Sequence, residues 1–172
     1  MNSIIKKGFT LFTLFLCLSF SAAGAPQLLS PVPDVPASKF ELIDLDDQMH
    51  RLEDYKGKPV IVNFWATWCP PCREEMPSME RAWQKIQPEG IAMIGINVGE
   101  DFDTVFGFTG QIEISFPLLL DSDGAESRRW PIRGLPTTYV LNTKGEIVYQ
   151  AIGGRDWNDD EILDLVRALR EE

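Results

Sequence analysis

A chain of 172 residues, 44% hydrophobic and 24% charged, can fill one ordinary core but not two. Its formal net charge of −10 argues against nucleic acid and against an anionic membrane surface, both of which call for a basic patch. With three cysteines and one histidine, any thiol or metal chemistry must come from a very small set of side chains.

Residues 1–25 read as a secretory signal rather than as part of the fold. Lys6 and Lys7 form a positive flank, Phe9 to Phe20 is largely apolar, and Ala23-Gly24-Ala25 fits a small-x-small cleavage site. The run falls short of the about 20 apolar residues of a membrane span. Extension through Ala25 leaves an uncleaved inner-membrane anchor open. Cys17 lies in this run after Phe15 and Leu16, so it reads as a hydrophobe that leaves with the signal. Cleavage would start the mature chain at Pro26, in the periplasm, with Cys69 and Cys72 as its cysteines. Loss of Lys6 and Lys7 would take the net charge from −10 to −12.

Pro26, Pro31, Pro33 and Pro36 make residues 26–37 read as an extended tether, with the folded domain expected at 38–172. Phe40, Leu42, Ile43 and Leu45, then Gln48 to Leu52, predict a hairpin turning at Asp46-Asp47. Val60 to Trp65 is an almost continuous apolar run, the pattern of a strand buried on both faces. A helix is expected from Pro70 to Ile86, kinked at Pro77 and stopped by Gln87-Pro88-Glu89-Gly90. Ile91 to Asn97 is a second buried strand, and the β-α-β order implies parallel pairing. Asp103 is a candidate cap for a helix over Thr104 to Gln111. A strand at Phe116 to Leu120 and a helical turn at Ala125 to Trp130 come next. Thr137 to Leu141 and Ile147 to Ala151 then flank a turn at Asn142 to Glu146. Asn158 or Asp159 opens a closing helix with Ile162, Leu165, Val166 and Leu169 at helical spacing.

The chemistry concentrates at Trp68-Cys69-Pro70-Pro71-Cys72, where a buried strand passes into a helix. A structural disulfide gains most by closing a long loop, so a pair this close is better read as a working dithiol. Unpaired N–H groups and the positive dipole end of the helix favour a thiolate at Cys69, the exposed attacking sulfur. Cys72, one turn further on, can close a disulfide with it and resolve a mixed disulfide. Pro71 suits an early helical position because it needs no N–H there. Half of a zinc site is the competing reading, but zinc usually takes four ligands and the lone His50 is distant in sequence.

Asn63 to Pro77, including Trp68-Cys69-Pro70-Pro71-Cys72-Arg73-Glu74-Glu75-Met76, resembles the signature stretch of the TlpA/ResA-like exported thiol–disulfide oxidoreductases. The likeness runs from about Phe40 to the C-terminus, through Gly57-Lys58-Pro59, Phe116 to Asp121 and Gly134 to Tyr139. It implies an α/β thioredoxin-like fold: a central mixed sheet flanked by helices, an N-terminal β-hairpin, and a helix–strand insertion at Gly99 to Leu120. It also implies a cis bond before Pro136, with Leu135 and Pro136 forming a substrate platform beside Trp68 and Pro71. The family places an acid one helical turn after the second cysteine, a position held here by Glu75. That carboxylate would take the proton of Cys72, and partial burial would raise its pKa. Thioredoxin itself has a buried Asp six residues before the first cysteine; here Asn63 stands there and cannot carry a proton, which strengthens Glu75.

Trp65, Trp83, Trp130 and Trp157 read as packing, and Gly153-Gly154 as room for a substrate backbone or as a simple turn. The function expected is reduction of disulfides in exported proteins, with cytochrome c maturation or metal-site assembly as the settings the resemblance implies. Partners would be proteins carrying disulfides or CxxC motifs and an upstream membrane electron donor, with no nucleic acid. The protein would be a monomer with no cofactor or metal beyond the redox-active Cys69–Cys72 disulfide. Two alternatives stay open. A copper-binding assembly factor usually adds a His downstream of the pair, and none follows His50. A thiol peroxidase would carry Thr or Ser three residues before the reactive cysteine, where Ala66 stands.

Overall fold

Alternation along one strand organises the molecule. In a computed structural model describing residues 28–171, all six residues of a strand at Val60–Trp65 are buried. The signal and anchor readings, and Cys17, lie outside the described residues. Because side chains alternate across a sheet, Ile61, Asn63 and Trp65 point to one face and Val60, Val62 and Phe64 to the other. Two apolar cores follow, one on each face.

In chain order the elements are β1 (Ser30–Pro36), β2 (Glu41–Ile43), β3 (Met49–Arg51), β4 (Val60–Trp65), α1 (Pro70–Ile86) and β5 (Ala92–Val98). After these come α2 (Phe102–Thr109), β6 (Leu118–Asp121), β7 (Thr137–Leu141), β8 (Glu146–Ile152) and α3 (Asp160–Ala168). The main sheet has the order β1-β8-β7-β4-β5-β6. β4, β5 and β6 pair in parallel, whereas β7, β8 and β1 run antiparallel, so the sheet is mixed as expected. Met76, Met79, Ala82 and Ile86 of α1 and Ile162, Leu163 and Val166 of α3 cover the face of Ile61 and Trp65. Phe40, Leu42, Trp130 and Tyr139 complete the opposite core with Phe64. The β2–β3 hairpin turns where expected, with Asp47 at φ 57°. It is tied down by His50, whose ring nitrogens bond Asp44 Oδ2 (2.8 Å) and Tyr55 OH (2.6 Å).

Several expectations are corrected. Residues 30–36 are not a tether but an edge strand, paired with β8 from Ser30↔Gln150 to Pro36↔Glu146. The folded domain therefore begins before residue 38, and Leu29 is already buried. Prolines cannot donate to a ladder, so they are confined to edges and irregularities; here the register shifts between Pro31 and Val35. Asp101, not Asp103, caps α2, its side chain accepting the Thr104 N–H at 2.9 Å. The turn expected over Ala125 to Trp130 shrinks to a 3-10 turn at Ser127–Arg129. Pro77 lies inside α1, as expected.

Gly154 is a point of close packing rather than of empty space. A methyl group there would meet Pro71 O at 2.9 Å and Pro71 Cβ at 3.3 Å. The loop after β8 thus lies directly on the first turn of α1. Gly154→Ala should destabilise the protein by about 1–3 kcal/mol through this overlap, read as a lower midpoint in urea unfolding. An unchanged midpoint would show that the loop can shift freely.

Candidate active site

Cys69 is the N-cap of α1 and Cys72 lies in its first turn; the two are joined by a disulfide with Cα atoms 5.3 Å apart. Cys69 was expected to be exposed, but in the disulfide it is only 3% exposed and Cys72 0%. The reason is local: Cys69 belongs to the packed core beneath the helix, while its neighbour Trp68, 67% exposed, takes the outer position. Pro70 and Pro71 occupy the first helical positions, and Arg73 N–H donates to Cys69 O at 3.2 Å. Of the four N–H groups a helix leaves free at its start, prolines therefore remove two, and a third, that of Cys69, donates to Ala66 O at 3.2 Å.

The peptide before Pro136 is cis, as the resemblance implied. Thr137 pairs with Phe64 in register, which brings buried Pro136 to the end of the sheet where β4 gives way to Cys69. Pro136 O accepts Gly153 N–H at 2.9 Å, tying this loop to the one that lies on Pro71. Leu135 is half-buried against both cores. Its backbone N–H and C=O make no backbone hydrogen bond among the described residues.

Beneath the cysteines lies Glu75, 2% exposed. The period of two in β4 aims Asn63 at α1, and its Nδ2 donates to Glu75 Oε1 at 2.9 Å and to Thr138 Oγ1 at 2.8 Å. The other carboxylate oxygen, Oε2, accepts the Trp157 indole N–H at 2.9 Å and the Arg155 N–H at 3.3 Å. Burial pushes the Glu75 carboxyl above the usual carboxylate range, outweighing the opposing hydrogen bonds from Trp157 and Asn63 and from the Arg155 backbone. Glu75 also borders a cavity of about 360 Å³, shared with Pro71, Ser78, Arg81 and Arg155. A buried carboxyl with a raised affinity for protons, one helical turn from Cys72, can exchange a proton with a thiol.

The structure thus gathers Cys69, Cys72, Glu75, Trp68, Pro71, Leu135 and Pro136 at one end of the sheet. It adds residues that sequence reading missed. Trp157, read as packing, is also a hydrogen-bond donor to Glu75 from 82 positions away. Thr67 and Glu100 form a second group: Thr67 N–H donates to Glu100 Oε2 at 2.7 Å and the Thr67 hydroxyl donates to Oε1. No short-range signal marks either contact, since each spans the sheet connections. Among the described residues, no group of three or more His, Cys, Asp or Glu side chains is arranged to hold a metal ion.

A mixed thioredoxin-like sheet with a CxxC disulfide at a helix start, a cis-proline loop and a buried acid defines a thiol–disulfide oxidoreductase. The comparisons agree. The AhpC/TSA family pattern matches residues 33–150. The thiol-disulfide oxidoreductase ResA of Geobacillus kaustophilus is 35% identical over 153 residues, covering 89% of this chain and 82% of that protein. Its counterpart in Halalkalibacterium halodurans is 36% identical over 164 residues, 95% of this chain and 88% of that one. StoA from Bacillus subtilis superimposes with a TM-score of 0.64 at 26% identity, over 80% of this chain and 98% of that structure. A thiol:disulfide interchange protein of the thioredoxin family from Chlorobium tepidum gives a TM-score of 0.69 at 28% identity, over 80% and 99%. The chain belongs to the AhpC/TSA family and, within it, to the ResA-like thiol–disulfide oxidoreductases.

Proposed function

We propose that the protein is an exported reductase of protein disulfides. The observation that carries the direction is the poverty of support for a thiolate at Cys69: two prolines open α1, Cys69 N–H is committed to Ala66 O, and a buried carboxyl lies below. A reduced pair whose thiolate is poorly stabilised gives up its electrons readily; strong oxidants of this fold do the reverse.

In the forward step the Cys69 thiolate attacks one sulfur of a substrate disulfide, forming a mixed disulfide and releasing one substrate thiolate. Cys72 passes its proton toward Glu75 and attacks Cys69 Sγ, releasing the second thiolate. The substrate gains two electrons and two protons, and the Cys69–Cys72 disulfide is left for an upstream membrane electron donor to reduce. Trp68, Pro71, Leu135 and Pro136 form the docking platform, the free Leu135 backbone groups pairing with an extended substrate segment. No cofactor enters beyond the disulfide itself. The leader-like residues 1–25 support a periplasmic site of action, anchored or free, for a monomeric protein. Substrates in cytochrome c maturation or metal-site assembly fit a reductase in an oxidising compartment.

Equilibration with glutathione buffers tests the direction. The pair should titrate near the thioredoxin end of the scale, about −270 mV, and a value near the DsbA end, about −120 mV, would make it an oxidant and overturn the reading.

A further inference from the structure

The turn that presents Cys69 is held from outside the cysteine pair. Ala66 to Cys69 is closed by Cys69 N–H donating to Ala66 O at 3.2 Å, and Thr67 lies inside that turn. Both donors of Thr67, its N–H and its hydroxyl, go to the carboxylate of Glu100. Glu100 Oε2 also accepts Asn97 Nδ2 at 2.7 Å. Asn97 is fully buried and pairs with Trp65 across β4 and β5. One carboxylate therefore ties together the ends of two parallel strands and the loop between β4 and the nucleophile. Among the described residues Glu100 makes no ion pair, so its charge is met by three dipoles and by no cation.

The geometry points to Glu100 as a positioning residue for thiol–disulfide exchange, one that fixes the Ala66–Cys69 turn and sets a carboxylate beside the turn that carries the thiolate that reduction creates. This rests on the oxidoreductase chemistry of the family and not on the direction proposed above. Reduction of the disulfide by two electrons places a thiolate at Cys69, within the turn that Glu100 already holds. A fixed carboxylate disfavours a second negative charge nearby, so it shifts the equilibrium toward the disulfide. The other charged groups around the pair are Glu75 and Arg155 below α1 and Arg73 and Glu74 on α1; none of them hydrogen-bonds Glu100.

Three variants of the full protein test the assignment: Glu100→Gln, Glu100→Ser and Thr67→Val. The neutral pair guards against one of them failing to fold, and Thr67→Val removes a donor while leaving the charge in place. For each, the pH profile of iodoacetamide alkylation of reduced Cys69 is recorded, together with the fraction reduced in fixed glutathione buffers. In Glu100→Gln and Glu100→Ser the alkylation midpoint should fall, so that Cys69 at pH 7 reacts about three- to tenfold faster than in the wild type. The equilibrium constant for forming the dithiol should rise by a similar factor. Thr67→Val should lower the melting temperature yet keep the wild-type midpoint. Wild-type midpoints in the folded neutral variants would overturn the assignment whatever their stability. A shift in Thr67→Val as large as that in Glu100→Gln would overturn the electrostatic half of the assignment, because turn geometry without the charge would then suffice.

Discussion

Cys72→Ala should accumulate Cys69 as a mixed disulfide with exported substrate proteins, whereas Cys69→Ser should trap none and lose more than about a thousandfold of exchange activity. The two outcomes differ because the residues occupy different places in one helix. Cys69 caps α1 beside exposed Trp68, while Cys72 is sealed within the first turn. An incoming disulfide meets Cys69 first, and without Cys72 the mixed disulfide has no internal thiol to resolve it. The folding penalty of either change is small, since closing so short a loop stabilises by about 2 kcal/mol. Diagonal electrophoresis of cell extracts reads the result. Recovery of the same partners through Cys72 in Cys69→Ser would reverse the assigned roles.

Glu75→Gln should make the protein more stable and a poorer catalyst at once. The buried carboxyl binds its proton more tightly in the folded state than its ordinary value of 4.5 allows in the unfolded chain. Between those two values the folded state holds more protons, so stability falls as pH rises through that window and stays low above it. The neutral glutamine lacks this loss. Its advantage over the wild type should be absent below about pH 4.5 and grow as pH rises, by about 1.4 kcal/mol for each unit separating the two values. Asn63 can accommodate the amide, because its Oδ1 is buried and has no partner, so a rotated Asn63 would offer that oxygen to the new NH₂. Catalysis should suffer in the opposite sense: without a group to take the Cys72 proton, resolution of the mixed disulfide should slow by about a hundredfold. Denaturant midpoints from pH 4 to 8 and stopped-flow resolution rates check the two halves separately. A variant less stable than the wild type at pH 8, or one resolving at the wild-type rate, would refute the respective half.

Much of this site is a local matter. The apolar run Val60 to Trp65 followed by Cys69-Pro70-Pro71-Cys72 specifies a buried strand, a loop and a helix start, because strand burial, proline placement and N-terminal dipoles each act within a few residues. The bounds of α1 and β7 and the turn of the β2–β3 hairpin follow from equally short-range signals. The proline-rich stretch did not yield to such reasoning. Four prolines describe a chain that resists regular structure, yet Pro31 and Pro36 lie in an edge strand because β8 offers an open edge that composition cannot reveal.

The cysteine pair and its helix, and with them the redox chemistry, were thus determined by the sequence itself, since proximity along the chain already places the two sulfurs together. Only the tertiary structure decided the surroundings of that pair. Asn63, Arg155 and Trp157 converge on Glu75 from up to 82 residues away, and Glu100 reaches Thr67 across 33. A buried carboxylate gains its raised proton affinity from the water it loses and the donors it meets, and those are fixed only when the sheet, α1 and the loop after β8 close over it.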